Sequence, residues 1–534
     1  MAQDLASKPD NDWQDLMFGP ALMQNYALSV KGGGKYATYY NSVGYTNQDG
    51  VMKGTNFQRY TLQSKQDFKK GIFSAGTNVV LTYNQSNPLY SIVRGGMVGH
   101  TIQAIPTWER YDASRVGGYG ALYGDVVNLT HPLGMVDENL MKRYNENVKI
   151  YANAYVSVEF LKGLKYKLNL TPDFQFYRYN DYNGVYDFGL ATNQLTSVTE
   201  QQTRRRNVLV ENLLTFDQTF GDHKISVLAG YTYQDSRYRY MQGSGQGMPT
   251  GIMEIDAAAQ GLAVSGNSSR SVLTSILGRA FYSYKNKYLL TATIRRDGSS
   301  KFGSSHRYGN FPSVSAGWNV AEENFVKDNV SWLDQLKLRG GYGVLGNQEI
   351  SDYQFVSVVT TGINYPDGKS GLIQGAFPKT FANPDIKWEE TAMTNVGIDF
   401  MALRNRLTLT ADWYVKNTKD ILLNVPIPIS TGGANDPVRN AGKIRNQGVE
   451  FNIGWNESLN KDFSYGIGFL GTYNKNEVVE MGAESQAITG GAIHGGTYTS
   501  KTLAGYPIGG FWLIPVDGYF NSVEEVQAYQ KDGV

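Results

Sequence analysis

SVLTSILGRAFYSYKNKYLLTATIRRDGSSKFGSSHRYGNFPSVSAGWNV, residues 271–320, is the stretch whose reading decides the fold. It carries no helical period and reads as three alternating segments. In the first, Ile276, Gly278, Ala280, Tyr282 and Tyr284 share one side, against Arg279 and Ser283. In the second, Tyr288, Leu290, Ala292 and Ile294 oppose Thr291, Thr293, Arg295 and Asp297. In the third, Pro312, Val314, Ala316, Trp318 and Val320 oppose Ser313, Ser315, Gly317 and Asn319. Side chains of a strand alternate between its two faces, so each segment has one apolar and one polar face. A tight Lys285-Asn286-Lys287 turn joins the first two. The polar face suits a wet lumen, and the tyrosines beside the turn suit an interfacial girdle. A soluble half-buried sheet also alternates, so the repeat of the pattern along the chain has to arbitrate.

The composition agrees with an alternating wall. Aromatic residues make up 13% of the 534 residues, with 60 glycines, yet the mean hydropathy is −0.37. A chain rich in large rings but polar on average is what results when half of every strand faces water. The net charge of +1 supplies no field for nucleic acid. The absence of cysteine excludes disulfides and thiolate metal sites, and no cofactor or metal is expected. No apolar run is long enough for a membrane helix. The N-terminus, MAQDLASKPDNDW, lacks the apolar core of a signal peptide.

Working outward, alternation returns with a regular rhythm. The cleanest case is 149–160, where Ile150, Ala152, Ala154, Val156, Val158 and Phe160 oppose Tyr151, Asn153, Tyr155, Ser157 and Glu159. Others lie at 26–30, 72–84, 165–179, 205–220, 224–237, 336–345, 394–416 and 449–473; 36–46 and 57–68 are aromatic-rich and less regular. About 17 strands of about 9–15 residues are predicted, with tight turns alternating with long loops. Turns at 161–164, 221–224 and 404–406 are expected on the periplasmic side, and loops 85–145, 238–270 and 346–388 outside. Residues 1–24 are expected to be an extracellular loop segment, 25–512 the strands and 513–534 the start of a further loop.

Several longer motifs carry a family resemblance. LGRAFYSYKNKYLLTATIRRDGSSKFG (277–303) and YGNFPSVSAGWNV (308–320) closely resemble the SusC/RagA family of TonB-dependent outer-membrane transporters of Bacteroidetes. So do DWQDLMF (12–18), MQNYALSVKGG (23–33), TYYNSVGYTNQDGV (38–51), NPDIKWEETAMTNVGIDF (383–400), LTADWYVKNTKDILL (409–423), NAGKIRNQGVEFNIGW (440–455) and GYPIGGFW (505–512). The resemblance implies an all-β transmembrane antiparallel barrel of about 22 strands around an N-terminal plug. It implies uptake of glycans, other large nutrients or peptides, with a SusD-like surface lipoprotein and a TonB partner. Against that pattern the chain is expected to be a fragment, without plug, TonB box or last strands. The alternative is a soluble all-β glycan-binding or glycan-degrading protein with sheets packed face to face.

Several short motifs bear on chemistry. Gly341-Tyr342-Gly343-Val344-Leu345-Gly346 matches a dinucleotide fingerprint but is followed by a polar loop rather than a helix. Asp297-Gly298-Ser299-Ser300 reads as a rim turn with Arg295 paired to Asp297. His306, beside Ser304 and Ser305, reads as a solvated loop residue. Glu322-Glu323 and Glu389-Glu390 are adjacent, so in a strand their side chains diverge. Arg204-Arg205-Arg206 reads as an interfacial or loop-rim cluster. Trp108 and Trp388 are the candidates for stacking on a sugar ring. No catalytic group is expected.

Overall fold

The structure is a computed structural model. It describes residues 8–88, 96–122, 129–368, 371–425, 427, 435–482, 487–492 and 497–531. Its main feature is one antiparallel sheet of 16 strands, in which neighbours in space are neighbours along the chain. The strands are β1 (Met23–Gly33), β2 (Ala37–Asp49), β3 (Asn56–Lys70), β4 (Phe73–Asn87), β5 (Met141–Leu161), β6 (Leu164–Asn183), β7 (Ser197–Phe220) and β8 (His223–Gln246). They continue with β9 (Gln260–Tyr284), β10 (Tyr288–Ser299), β11 (Tyr308–Asn319), β12 (Leu333–Asn347), β13 (Glu389–Ala402), β14 (Leu407–Lys419), β15 (Lys443–Ser458) and β16 (Ser464–Glu480). Shorter hairpins decorate the connections, including 358–366 with 372–380 and 422–424 with 438–440. Among the described residues no helix is long and apolar enough to cross a membrane.

The chain forms two compact units, Met1–Asp217 with Leu228–Leu277, and Gln218–Val227 with Gly278–Val534. In the first, the connections have condensed into a core of their own. Helix α1 (Trp13–Met17), capped by the Asp12 carboxylate on the N–H groups of Gln14 and Asp15, and helix α2 (Gly96–Gln103) belong to it. Trp13, Met17, Met97, Trp108, Leu129 and Phe188 are buried there. Within 1–24, expected to be an extracellular loop segment, the residues described from 8 onward hold this capped helix and the first two residues of β1.

The three-strand reading of 271–320 holds, with the turns and pairings from 278 onward lying in the second unit. Lys285 and Asn286 both have positive φ, +51° and +56°, and the Lys287 N–H closes on the Tyr284 carbonyl at 2.9 Å. Two successive left-handed residues suit the right-handed twist of the strands they join. β10 pairs with β11 from Tyr288↔Trp318 to Gly298↔Tyr308, so their apolar residues share a face. Tyr284 stacks near Tyr288 (6.4 Å) and Tyr288 near Trp318 (6.5 Å), forming the expected aromatic row at the turn end.

Strand lengths differ from the sequence expectation in one direction. β7 begins at 197 rather than 205 and β8 runs to 246 rather than 237, so the connection between β8 and β9 shrinks to 247–259. Apart from Val198, the segment SVTEQQTRRR at 197–206 is polar on both faces. Alternation marks only the part of a strand whose faces meet different surroundings. The backbone ladder continues beyond it, because its hydrogen bonds do not depend on that contrast.

Candidate functional site: the polar face and the loop core

The two faces of the sheet are built differently. On the apolar face the side chains stand free: Val156 is 53% exposed, Ile294 50% and Ile467 67%. β14 shows the construction. Leu409 lies opposite Phe400 and Ile453, and Trp413 lies opposite Val396 and Val449, in one continuous apolar field. In the first unit, register alone assembles a second aromatic row. Tyr26, Tyr45, Tyr60 and Tyr83 are direct cross-strand partners on β1–β4, with ring centres 4.9–6.4 Å apart.

The polar face is tied together by its side chains. In the first unit Asn153 on β5 donates to Asn169 on β6 (2.9 Å), and Asn169 donates to Glu211 on β7 (2.7 Å). In the second, the Arg339 guanidinium on β12 reaches Asp399 on β13 (3.2 Å) and Asp412 on β14 (2.6 Å). The span is possible because the residue between them is glycine: a Cβ on Gly397 would sit 2.6 Å from both the Arg339 guanidinium carbon and Asp412 Oδ1. Arg339 also borders a depression of about 290 Å³ lined by Thr291, Ser315, Gly317, Lys337 and Asn395. Small side chains on adjacent strands make that hollow. Chemically, this wall offers hydrogen bonds and fixed charge. Among the described residues no three His, Asp or Glu groups converge as a metal site would require.

The singled-out motifs fall into place on this frame. Residues 341–346 lie inside β12 and pair with β13, from Gly341↔Asn395 to Gly346↔Glu390, so no helix follows the glycines. Arg295 and Asp297 are paired at 2.7 Å, at the loop end of β10. His306 is half-buried rather than solvated, and its Nδ1 has no hydrogen-bond partner among the described residues. Glu389 accepts from Asn347 and the Leu422 N–H, whereas Glu390 pairs with Lys419. Glu323 lies in the turn after β11 and accepts from the Tyr288 hydroxyl (2.6 Å), Trp318 Nε1 (3.0 Å) and Lys287 (3.0 Å). These hydrogen bonds, with the Lys287 charge, pull its carboxyl down to about 2.

Neither tryptophan candidate presents a ring face. Trp108 is 2% exposed, sits 5.8 Å from the Trp13 ring and 4.8 Å from His131, and donates Nε1 to the Gly120 carbonyl. Trp388 is 6% exposed between Phe302 and Phe311 and donates Nε1 to the Arg307 carbonyl. Both close loop cores. His131, enclosed by Trp13, Trp108 and Tyr119, bonds the Glu109 carbonyl through Nε2 and accepts the Gly134 N–H at Nδ1. Burial pushes it down to about 4, so it is neutral. The sequence reading missed Arg339, Asp399 and Asp412 as a unit. Their polar-face positions were legible, but their proximity depends on register.

Comparison with known proteins agrees with this architecture. Residues 99–530 match the family model described as TonB dependent receptor-like, beta-barrel. TonB-dependent receptor P39 of Formosa agariphila is 30% identical over 90% of the chain and 45% of its own length. TonB-dependent receptor SusC of Bacteroides thetaiotaomicron is 29% identical over 88% of the chain and 48% of its own. The chain thus spans about half the length of the curated relatives it matches. The structure of the RagAB peptide transporter superposes with a TM-score of 0.81 at 22% identity, covering 93% of this chain and 55% of that one. An exposed apolar face, an ion-paired polar face and these matches converge: the chain belongs to the TonB-dependent receptor-like β-barrel family of the outer membrane, and is of SusC/RagA type.

Proposed function

We propose that this chain is the barrel part of a transporter that takes up large nutrients, oligosaccharides or peptides, with energy relayed by a TonB-type partner. A SusD-like surface lipoprotein is the proposed lid. The observation that carries the reading is the two-faced wall: an apolar face that stands free, backed by a polar face whose charges are paired across strands. Such a sheet is stable with hydrocarbon on one side and water on the other. It disfavours the soluble sandwich, in which the apolar face would be buried against a second layer. On this reading the tight turns face the periplasm, and the connections at 88–140, 247–259 and 348–388 face outside. A peptide importer and SusC are both among the similar proteins, and the polar wall suits either cargo through hydrogen bonding. The test is uptake of labelled oligosaccharide and peptide pools by cells with and without the full-length protein. Uptake of one pool that falls on deletion, and equally on loss of TonB, supports the reading. Unchanged uptake of both pools overturns it.

A further inference from the structure

The apolar face of β6–β9 ends in arginine at nearly one level. On β7 the apolar positions Leu214, Val210 and Val208 give way to Arg206 and Arg204; on β8, Tyr231 and Tyr233 give way to Asp235, Arg237 and Arg239; on β9, Ile276 and Val272 give way to Arg270. On β6, Phe174 and Phe176 lie opposite Arg206 and Arg204, and Arg178 follows one step later. The register between β7 and β8 is read from side-chain pairs on the polar face. Ser236 donates to Asn207 (3.0 Å), Gln201 to Gln242 (3.1 Å), and Arg205 lies over the Tyr238 ring (5.8 Å). Each pair is directly opposite, so Arg206 faces Arg237 and Arg204 faces Arg239. Arg205 points the other way.

Six arginines therefore collect against three carboxylates. Arg237 and Arg270 share Asp235 (3.0 and 2.6 Å), and Arg178 takes Glu200 (3.0 Å) and Glu146 (3.7 Å). Arg204, Arg206 and Arg239 have no ion-pair partner among the described residues, and Arg204 and Arg206 are exposed. Like charges on neighbouring strands repel. A stretch of sheet that gathers them needs an anion from outside. The position says which anion: the cluster begins where the apolar field stops, so an occupant touching both is apolar below and anionic above. A guanidinium fork matches phosphate oxygens in two-point contact.

We propose that this arginine cluster binds the phosphorylated headgroup of a membrane lipid in the leaflet at the loop ends of the strands, with the acyl chains lying along Val208, Val210 and Val272. Basic clusters at a membrane boundary hold anionic lipid by charge, and the hold weakens as salt rises. The site is separate from any cargo path, because it lies on the opposite face of the sheet.

The test uses the full-length protein in nanodiscs of phosphatidylcholine doped with phosphatidic acid, with native mass spectrometry reading the lipid retained. A variant carrying Arg204→Gln, Arg206→Gln and Arg239→Gln leaves the Asp235 and Glu200 pairs intact, and should retain phosphatidic acid at least about tenfold less well. Arg205→Gln, on the polar face, should change nothing, and the triple lysine variant should recover most of the loss. If the triple variant does not assemble, judged by heat-modifiable gel migration, Arg206→Gln alone is read the same way, with a loss of about threefold expected. Undiminished retention by the assembled variant, or an equal loss with Arg205→Gln, overturns the proposal. Full displacement by inorganic phosphate would make the occupant a soluble anion and would overturn it too.

Discussion

Trp108 and Leu28 belong to the same compact unit and are solvated in opposite ways. The indole is 2% exposed and packs against Trp13 and His131, as in a water-soluble core, whereas Leu28, in the middle of β1, is 73% exposed. The apolar side chain in the loops is hidden from water by the chain itself. The one on the wall is left for lipid to cover. One sequence thus carries two kinds of apolar residue, and they should respond to mutation by different rules. The loop core is governed by packing, the wall by transfer into hydrocarbon.

The largest contrast comes from truncating the loop core. Trp108→Ala removes a buried ring and the hydrogen bond to Gly120, at a cost of about 3–5 kcal/mol. The loss should be local: residues 96–140 become protease-sensitive in the full-length protein while heat-modifiable migration of the barrel persists. Collapse of both together would mean that core and wall fold as one.

On the wall, Leu409→Arg puts a charge into the apolar field between Phe400 and Ile453, costing about 2–4 kcal/mol near the membrane midplane. Thr410→Arg, on the polar face, should cost less than about 1 kcal/mol. Leu409→Trp is the sharper variant. A packed core resents the added volume by about 1–3 kcal/mol, whereas a lipid-facing site has no fixed wall to clash with. Urea stability in bilayers reads all three, and a Leu409→Trp cost matching that of Leu409→Arg would mean the wall is packed like the loops.

Gly397→Ala probes the polar face, with an expected cost of about 1–3 kcal/mol, because the new methyl would displace the Arg339 fork from Asp412. Its stability should then match that of the double variant with Arg339→Met. If Gly397→Ala alone is neutral by urea denaturation in bilayers, the wall has the slack of an open surface.

The smallest effect near neutrality is the pH response, and it separates the regions by window. His131 is held neutral in the fold, down to about 4 from its ordinary 6.5. The unfolded loop takes up a proton first, so loop-core stability is full above about 6.5 and falls as pH drops through 4. Glu323 is lowered from 4.5 to about 2, so its grip on Tyr288, Trp318 and Lys287 is complete above about 4.5 and is lost as pH falls through 2. Hydrogen exchange across a pH series should therefore show the connections loosening before the turn at 320–332. The reverse order would contradict both assignments.

Alternation was enough to place the strands wherever lipid and water lie on opposite faces, as in Ile150–Phe160 and Tyr288–Ile294. It was also enough to separate Leu409 from Thr410. A period of two in side-chain direction, combined with two different solvents, writes itself into the sequence. Where polar residues dominate both faces that contrast fades, so 197–206 and 238–246 read as loop although the ladder runs through them. Trp108 and Trp388 were legible only as candidates for stacking, because a loop tryptophan carries no mark of what covers it. Their cover comes from residues as distant as Trp13 and Phe302. Register is likewise absent from any single strand. The tyrosine row on β1–β4, the Arg339 fork with Asp399 and Asp412, and the gathering of Arg204, Arg206, Arg237 and Arg270 each join side chains from three or four strands. Each strand's pattern determined which face a side chain takes; only the pairing of strands decided which side chains meet, because hydrogen-bond register couples positions that the sequence keeps tens of residues apart.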